Sequence, residues 1–330
     1  MIEEKILKEL NGSNCVVTGG TGMIGAEVVR LLCDAGANVK SVSLDDLSAD
    51  ERAESVKADL TDISTCLDIC QDMDFVFHVA GIKGSIEVTK SKPASFFTNL
   101  LMMNTNMLEA ARRTNAKKVV YTSSIGAYSS AEVFVEDDDD PSKPPMDMFP
   151  GWAKRMAEMQ VEAYQIQYGL ENYAIVRPCN VYGPGDNFDP ANAMVIPSLM
   201  ARVDKGENPL LVWGDGSAVR DFAFTTDCAE GVIQALYHGT RGTYVNLGSG
   251  VGVTIRELVE TLAQVTPFEY EFDTTKPAGF PRRVMDLTRA RDWIGYNPQT
   301  SLLEGLRQTW DWYQVNKNAS DKRHNYFTQD

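Results

Sequence analysis

The stretch Thr18-Gly19-Gly20-Thr21-Gly22-Met23-Ile24-Gly25 decides the fold. Before it, Asn14–Thr18 (NCVVT) is a short β-branched apolar run that reads as a buried strand. After it, helical periodicity continues to about Asp34. Three glycines between a strand and a helix form a phosphate-binding turn, each with its own task. Gly19 permits the sharp turn, Gly22 lets backbone approach a pyrophosphate, and Gly25 lets the helix pack on the sheet. The first-turn N–H groups, Met23 and Ile24 among them, then present a positive helix end to the phosphates. Beyond a second strand (NVKSVSL), Asp45 stands where a carboxylate would hold the adenosine ribose hydroxyls. A carboxylate there repels a 2′-phosphate, so the expected cofactor is NAD, not NADP.

Working outward, Asn38–Leu44, Phe75–Val79, Lys118–Ser123 and Ala174–Arg177 read as further strands. Long helices are expected from about Pro93 to Thr114 and over Gly151–Tyr168. This alternation implies βαβ units, hence an α/β fold with a Rossmann-type doubly wound parallel sheet. After Pro178 loop-rich segments interleave with short elements, which predicts a smaller mixed α/β lobe for the substrate. The expected division is therefore 1–178 for the dinucleotide domain, with some later segments returning to it, and 179–330 for the second lobe.

A net charge of -15 argues against nucleic-acid or anionic-membrane surfaces. Apolar and charged contents of 43% and 23% are those of an ordinary globular protein. MIEEKILKEL is a charged amphipathic helix without a signal-peptide core, and no apolar run approaches a bilayer span. The six cysteines include no C-x-x-C pair. Cys66 and Cys70, four apart in a helix, suggest a shared buried face and not a metal site. A cytoplasmic protein with reduced thiols and no metal is expected. Glu136–Asp140 reads as a solvated acidic loop, and the last ten residues as a frayed end.

The G-x-x-G-x-x-G spacing resembles the extended short-chain dehydrogenase/reductase superfamily, in particular its NAD-dependent nucleotide-sugar epimerases and dehydratases. The resemblance covers nearly the whole chain. It implies that Asp59-Leu60 flank the adenine and that His78-Val79-Ala80-Gly81, through Ala80, line the ribose. Asn99 resembles the family's helix asparagine. Ser123-Ser124 end the strand that carries the catalytic hydroxyl, assigned to Ser124, and Lys154 looks like the lysine of a Y-x-x-x-K helix. Arg177 through Pro184 resemble the segment backing the nicotinamide, with Asn180 opening the substrate site. Trp213-Gly214-Asp215-Gly216 with Arg220-Asp221-Phe222 resemble a G-x-G-x-x-x-R-D-F signature whose arginine contacts the substrate pyrophosphate. Phe280-Pro281-Arg282-Arg283 resembles a second phosphate site, assigned to Arg282. Two guanidinium forks on a diphosphate make chemical sense, so the implied substrate is a nucleotide-diphosphate sugar. Asp186–Pro190, Val195–Pro197 and Gly279–Arg282 look like GDP-fucose synthases, which tilts the base toward guanine, while UDP-sugar relatives share much of the lobe.

The proton-transfer machinery departs from the pattern. A Tyr four residues before the Lys should take the sugar hydroxyl proton, and Pro150 stands there instead. Tyr128, in SSIGAYSS, is the nearest phenol and so the candidate acid/base; Lys154 itself, directly or through water, is the other. Cys179 could reach the nicotinamide pocket or simply be a small buried hydrophobe. The Asp-Glu pair of 4,6-dehydratases and the Glu of decarboxylases would fall at Ile125-Gly126. The epimerising Cys and His of fucose synthases are also missing, with Asp189 in the His place. What remains is transient oxidation at a sugar carbon, with a C4-type epimerase fitting best. An unconventional dehydratase, a net oxidoreductase and an inactive nucleotide-sugar binder stay open. By analogy with relatives, the two long helices would form a homodimer.

Overall fold

Short apolar strands with helices between them dictate a layered structure, and the computed structural model shows one. It describes residues 2–317 apart from positions 83, 85, 190, 191 and 277; the expected frayed end lies outside the described residues. Helix α1 (Glu4–Leu10) precedes β1 (Asn14–Thr18) and α2 (Met23–Asp34). Then come β2 (Asn38–Ser43), β3 (Glu54–Lys57), α3 (Ile63–Cys70), β4 (Phe75–His78), α4 (Ile86–Ser91) and α5 (Pro93–Arg113). β5 (Lys118–Thr122), β6 (Val133–Phe134), α6 (Met148–Tyr168) and β7 (Tyr173–Pro178) complete the first part. The later chain runs β8 (Asn180–Tyr182), α7 (Val195–Asp204), β9 (Leu210–Trp213), β10 (Val219–Phe224), α8 (Thr225–His238) and β11 (Tyr244–Leu247). It ends with β12 (Gly252–Thr254), α9 (Ile255–Val265), β13 (Tyr270–Asp273), β14 (Arg282–Met285), α10 (Thr288–Ile294) and α11 (Leu302–Asn316).

Seven strands pair in the order β11-β7-β5-β4-β1-β2-β3, all parallel. Helices cover both faces, which is why β1, β4, β5 and β7 are almost continuously apolar. On one face, Val28, Val29 and Leu32 of α2 pack with Val232 and Leu236 of α8. On the other, Cys66, Ile69 and Cys70 of α3 join Phe96, Met107 and Val161 from α5 and α6. The shared buried face of Cys66 and Cys70 is thus a packing feature, and all six cysteines are free. The chain steps outward from β1 to β3, then jumps back to β4, so a crevice opens at the carboxyl ends of β1 and β4.

The remaining strands form the path β12-β10-β14-β6, with β8 also on β10, and a separate β9–β13 pair. A third core, including Phe222, Leu258 and Leu306, lies beneath them. Residues beyond 178 therefore both build this lobe and return to the large sheet as α8 and β11.

Two local expectations change. Helix α6 starts at Met148, so Pro150 sits within its first turn, where a missing N–H costs nothing. Glu136–Asp140 is solvated only in part: Asp137 and Asp138 are exposed, but Glu136 is buried, and its carboxylate accepts the Asn246 N–H at 2.9 Å. Asp139 ion-pairs with the buried Arg177 at 2.7 Å. No helix among the described residues is long and apolar enough to cross a membrane.

Candidate active site

The glycine turn is shaped by close approach. Gly19 has φ +69°, and a Cβ on it would meet Ala80 Cα at 2.7 Å. A Cβ on Gly25 would lie 2.0 Å from the Gly19 carbonyl oxygen, so a side chain there forces α2 off the turn. Gly22 is the N-cap of α2 and supplies no side-chain cap. The first-turn N–H groups at Met23 and Ile24 are then suited to an anion. At the end of β2 a cavity of about 290 Å³ is lined by Ser41, Ser43, Asp45, Asp46 and Lys57. Asp45 accepts the Thr21 hydroxyl at 2.7 Å, and Lys57 is neutralised by Asp46 at 2.6 Å. Carboxylates and serine hydroxyls suit sugar hydroxyls, and the paired Lys57 offers no free charge to a phosphate. These residues fit a dinucleotide whose ribose carries no phosphate.

Asp59 is exposed and accepts the Thr61 N–H at 2.9 Å; Leu60 is buried beside it, its carbonyl taking a hydrogen bond from Asn106. Ala80 donates its N–H to the Thr18 hydroxyl at 3.3 Å, joining β4 to β1. Asn99 is half-buried on α5. Sequence reasoning missed the residue beneath them. Asn104, fully buried on α5, donates to the Tyr121 hydroxyl at 3.1 Å and takes His78 Nε2 on its oxygen at 2.9 Å. His78 Nδ1 then accepts from Thr18, 2.7 Å away. Burial first, and the Lys154 charge second, lower the His78 pKa to about 3, so the ring is neutral. A polar residue inside an apolar helical face was the signal.

Lys154 lies where β4 and β5 end. Its Nζ donates to the Thr122 carbonyl at 2.7 Å, and a Cβ on Gly81 would stand 3.7 Å from it. Burial pushes its pKa down to about 8, against the pull of Glu158. Ser124, half-buried at the end of β5, accepts the Gly126 N–H at 3.0 Å. Ser123 instead points inward and donates to Glu158 at 2.5 Å.

Tyr128 is placed away from this group. It is 1% exposed, donates its hydroxyl to Asn246 Oδ1 at 2.8 Å, and lays its ring 4.2 Å from the Arg177 guanidinium. Burial raises its pKa well above the usual phenol value. The sequence offered a phenol near a strand end; the chain in fact turns it into the core. Tyr128→Phe is therefore expected to leave any turnover intact and to lower stability by roughly 1–3 kcal/mol, because Asn246 Oδ1 loses its donor. Paired denaturation and activity measurements check this, and loss of turnover at unchanged stability would contradict it. Cys179 is likewise a buried thiol, raised by burial and facing Asp221 at 3.6 Å.

On the substrate-lobe side, Asn180 donates to the Asp221 carbonyl at 2.9 Å. Arg220 is half-buried and donates to the carbonyls of Val219 and Phe280 at 2.8 and 2.7 Å. β10 and β14 are parallel, with Arg220 opposite Arg283 and Val219 opposite Arg282. Side chains alternate along a strand, so Arg283 shares a face with Arg220 while Arg282 falls on the other, near Gly252. The second arginine beside Arg220 is Arg283, one residue from the expected Arg282. Burial lowers the pKa of both, and Arg283 lowers that of Arg220 further. Neither forms an ion pair among the described residues, and Arg283 Nε has no hydrogen-bond partner there. Among the described residues no cluster of His, Cys, Asp and Glu could hold a metal.

The chain is similar to known proteins along most of its length. The chain is 32% identical to GDP-L-fucose synthase 1 of Arabidopsis thaliana, covering 91% of this chain and 93% of that protein. It is 31% identical to a dTDP-4-dehydro-6-deoxy-D-allose reductase of a Streptomyces species, covering 93% and 98%. Among solved structures, the epimerase Mth375 of Methanothermobacter thermautotrophicus superposes with a TM-score of 0.86 at 25% identity, covering 96% and 97%. UDP-glucose 4-epimerase of Thermotoga maritima, solved with UDP-glucose, gives 0.79 at 28%, covering 92% and 99%. Residues 15–248 match the NAD dependent epimerase/dehydratase family, and with its glycine turn and seven-stranded parallel sheet the chain belongs to that family.

Proposed function

We propose that the protein is a nucleotide-diphosphate-sugar epimerase acting by transient oxidation of a sugar carbon, with C4 the favoured position. The observation that carries this reading is the Arg220–Arg283 pair. Two neighbouring, half-buried guanidiniums with no carboxylate in ion-pair contact among the described residues, Arg283 having only the nearby charge of Asp147, are costly on any chain, and a chain of net charge -15 does not lack carboxylates. A diphosphate supplies the missing charge in the geometry guanidiniums prefer. Guanine is favoured by similarity to proteins named GDP-L-fucose synthases, and uracil is the alternative offered by the epimerase solved with UDP-glucose.

Bound NAD supplies a hydride acceptor that can give the hydride back. In this reading Gly19, Gly22, Met23, Ile24 and Gly25 hold its pyrophosphate, Asp45 the adenosine ribose, Asp59 and Leu60 the adenine, and Ala80 the second ribose. Lys154 directs its ammonium to ribose hydroxyls, Ser124 hydrogen-bonds the reacting sugar hydroxyl, and Asn180 with Arg220 and Arg283 orients the substrate. Asp45→Ala then weakens NAD binding by roughly 1.5–3 kcal/mol, about ten- to a hundredfold, while narrowing the preference over NADP. Calorimetric titration with both dinucleotides checks this; unchanged NAD affinity would contradict it.

The direct test incubates the purified protein with GDP-, UDP-, dTDP- and CDP-sugars and follows products by NMR. An epimer without accumulation of free NADH is expected. Net NADH release indicates an oxidoreductase instead, and tight sugar-nucleotide binding without turnover indicates a binding protein. Exposed Met156, Met159 and Ile166 lie on one stripe of α6, beside exposed Met102 on α5. This apolar surface supports a homodimer through the two helices, and an elution mass of a single chain would contradict it.

A further inference from the structure

Position 150 provides no phenol, yet an acid stands at the N-terminal end of α6. Pro150 and Lys154 are spaced i, i+4 on α6, and Asp147 stands just before the helix, three residues ahead of Pro150. Asp147 is the N-cap of α6, but its carboxylate makes no capping hydrogen bond. It lies instead over Gly126, where a built Cβ would meet Asp147 Oδ2 at 2.3 Å. The Asp147 N–H donates to the Gly126 carbonyl at 3.1 Å, and the Gly126 N–H is held by Ser124 Oγ. Ser124 and Asp147 therefore flank one residue at the end of β5. A Cβ on Gly151 would fall 2.5 Å from the Gly126 oxygen, so glycine at 151 allows α6 to approach this closely. Any side chain at 126 would expel the carboxylate, and glycine there leaves room for it.

We propose that Asp147 is the proton-transfer group of this cleft, replacing the phenol absent at position 150; the proposal rests on the nucleotide-sugar reading above. The Asp147 carboxylate takes the proton of the sugar hydroxyl. The O–H electron pair becomes the second C–O bond as the carbon's hydride leaves to the nicotinamide, and the reverse step returns both. Asp147 is exposed at the mouth of the cleft, and its pKa is raised by the surrounding protein, opposed by Arg283 on β14. A raised carboxylate pKa makes a stronger base than an ordinary one.

The test uses the NAD-loaded protein, the wild type and D147N, with UDP-glucose and GDP-mannose. The rate of nicotinamide reduction is read in a single turnover across pH, and nucleotide-sugar affinity by calorimetry. Asp147→Asn is expected to slow reduction by about 10²–10⁴-fold, to change affinity less than threefold, and to remove the acid limb of the pH profile. Asp147→Glu restores part of the rate. In R283M the acid limb moves to higher pH, which a merely structural Asp147 would not produce. Reduction by wild type with D147N within threefold of it overturns the proposal alone. Absence of reduction by wild type with either sugar nucleotide overturns the underlying reading and the proposal with it.

Discussion

Arg177→Met is expected to destabilise the fold by about 4–5 kcal/mol, the largest stability effect of any single substitution considered. β7 is otherwise apolar, yet Arg177 is only 2% exposed. Its guanidinium binds Glu158 bidentately at 2.9 and 2.7 Å and Asp139 at 2.7 Å. The rings of Tyr244 and Tyr128 enclose it at 3.5 and 4.2 Å. Removing it strands two buried carboxylates, with Arg155 at 3.7 Å the remaining cation near Asp139. Against total stabilities of roughly 5–15 kcal/mol, the variant is marginal at best. The pH response carries a sign. Burial alone would raise the Asp139 pKa, but Arg177 outweighs it and holds the carboxyl below its usual value. That stability is present above the ordinary carboxylate pKa and is lost as pH falls through the depressed one. In the variant burial prevails, the Asp139 pKa rises, and protonation relieves the penalty as pH falls. The gap between wild type and variant therefore narrows toward acid. Urea titrations at pH 7 and pH 4.5 measure it, and a gap below 2 kcal/mol at pH 7 would refute the assignment.

This cluster also shows where sequence reading stops. The glycine turn, the strand before it and Asp45 were legible because backbone sterics and a local carboxylate act within about thirty residues. Lys154 was legible as a motif position, and the fold places it at the strand ends. Glu136 and Asp139 looked like members of a solvated acidic run, since nothing local reveals the Asn246 N–H that Glu136 accepts or the buried arginine 38 residues after Asp139. Tyr128 looked available because it follows a strand end; its partners, Asn246 and Tyr244, arrive from β11. Arg282 and Arg283 are adjacent in the chain, and only the register of β14 against β10 decides which one faces Arg220. In each miss the deciding contact was long-range, and periodicity cannot carry that information.

Lys154→Met is expected to make the protein more stable at pH 7 while removing its activity. The cause is the burial that lowers this lysine from 10.5 to about 8. At pH 7 the ammonium is charged in both folded and unfolded chains, and keeping it charged inside costs roughly 3 kcal/mol. Methionine fills the same stem without that charge, but the Thr122 carbonyl loses its donor, which costs about 1 kcal/mol. The net gain is about 1–2 kcal/mol at pH 7. Between pH 8 and 10.5 the unfolded wild type binds a proton that the folded one does not, so wild-type stability climbs with pH through that window. The variant has no such term, and its advantage disappears by about pH 10.5. Under the proposed mechanism the same ammonium holds the cofactor ribose in register with the sugar, so nicotinamide reduction falls by roughly 10²–10³-fold. Urea titrations at pH 7 and pH 10 with single-turnover reduction at pH 7 test both halves. A variant less stable than wild type at pH 7 would mean that Lys154 is a structural residue held by Thr122. A more stable and fully active variant would remove it from the cofactor site. A stable, silent one is the outcome expected of a charge kept buried for function at the expense of the fold.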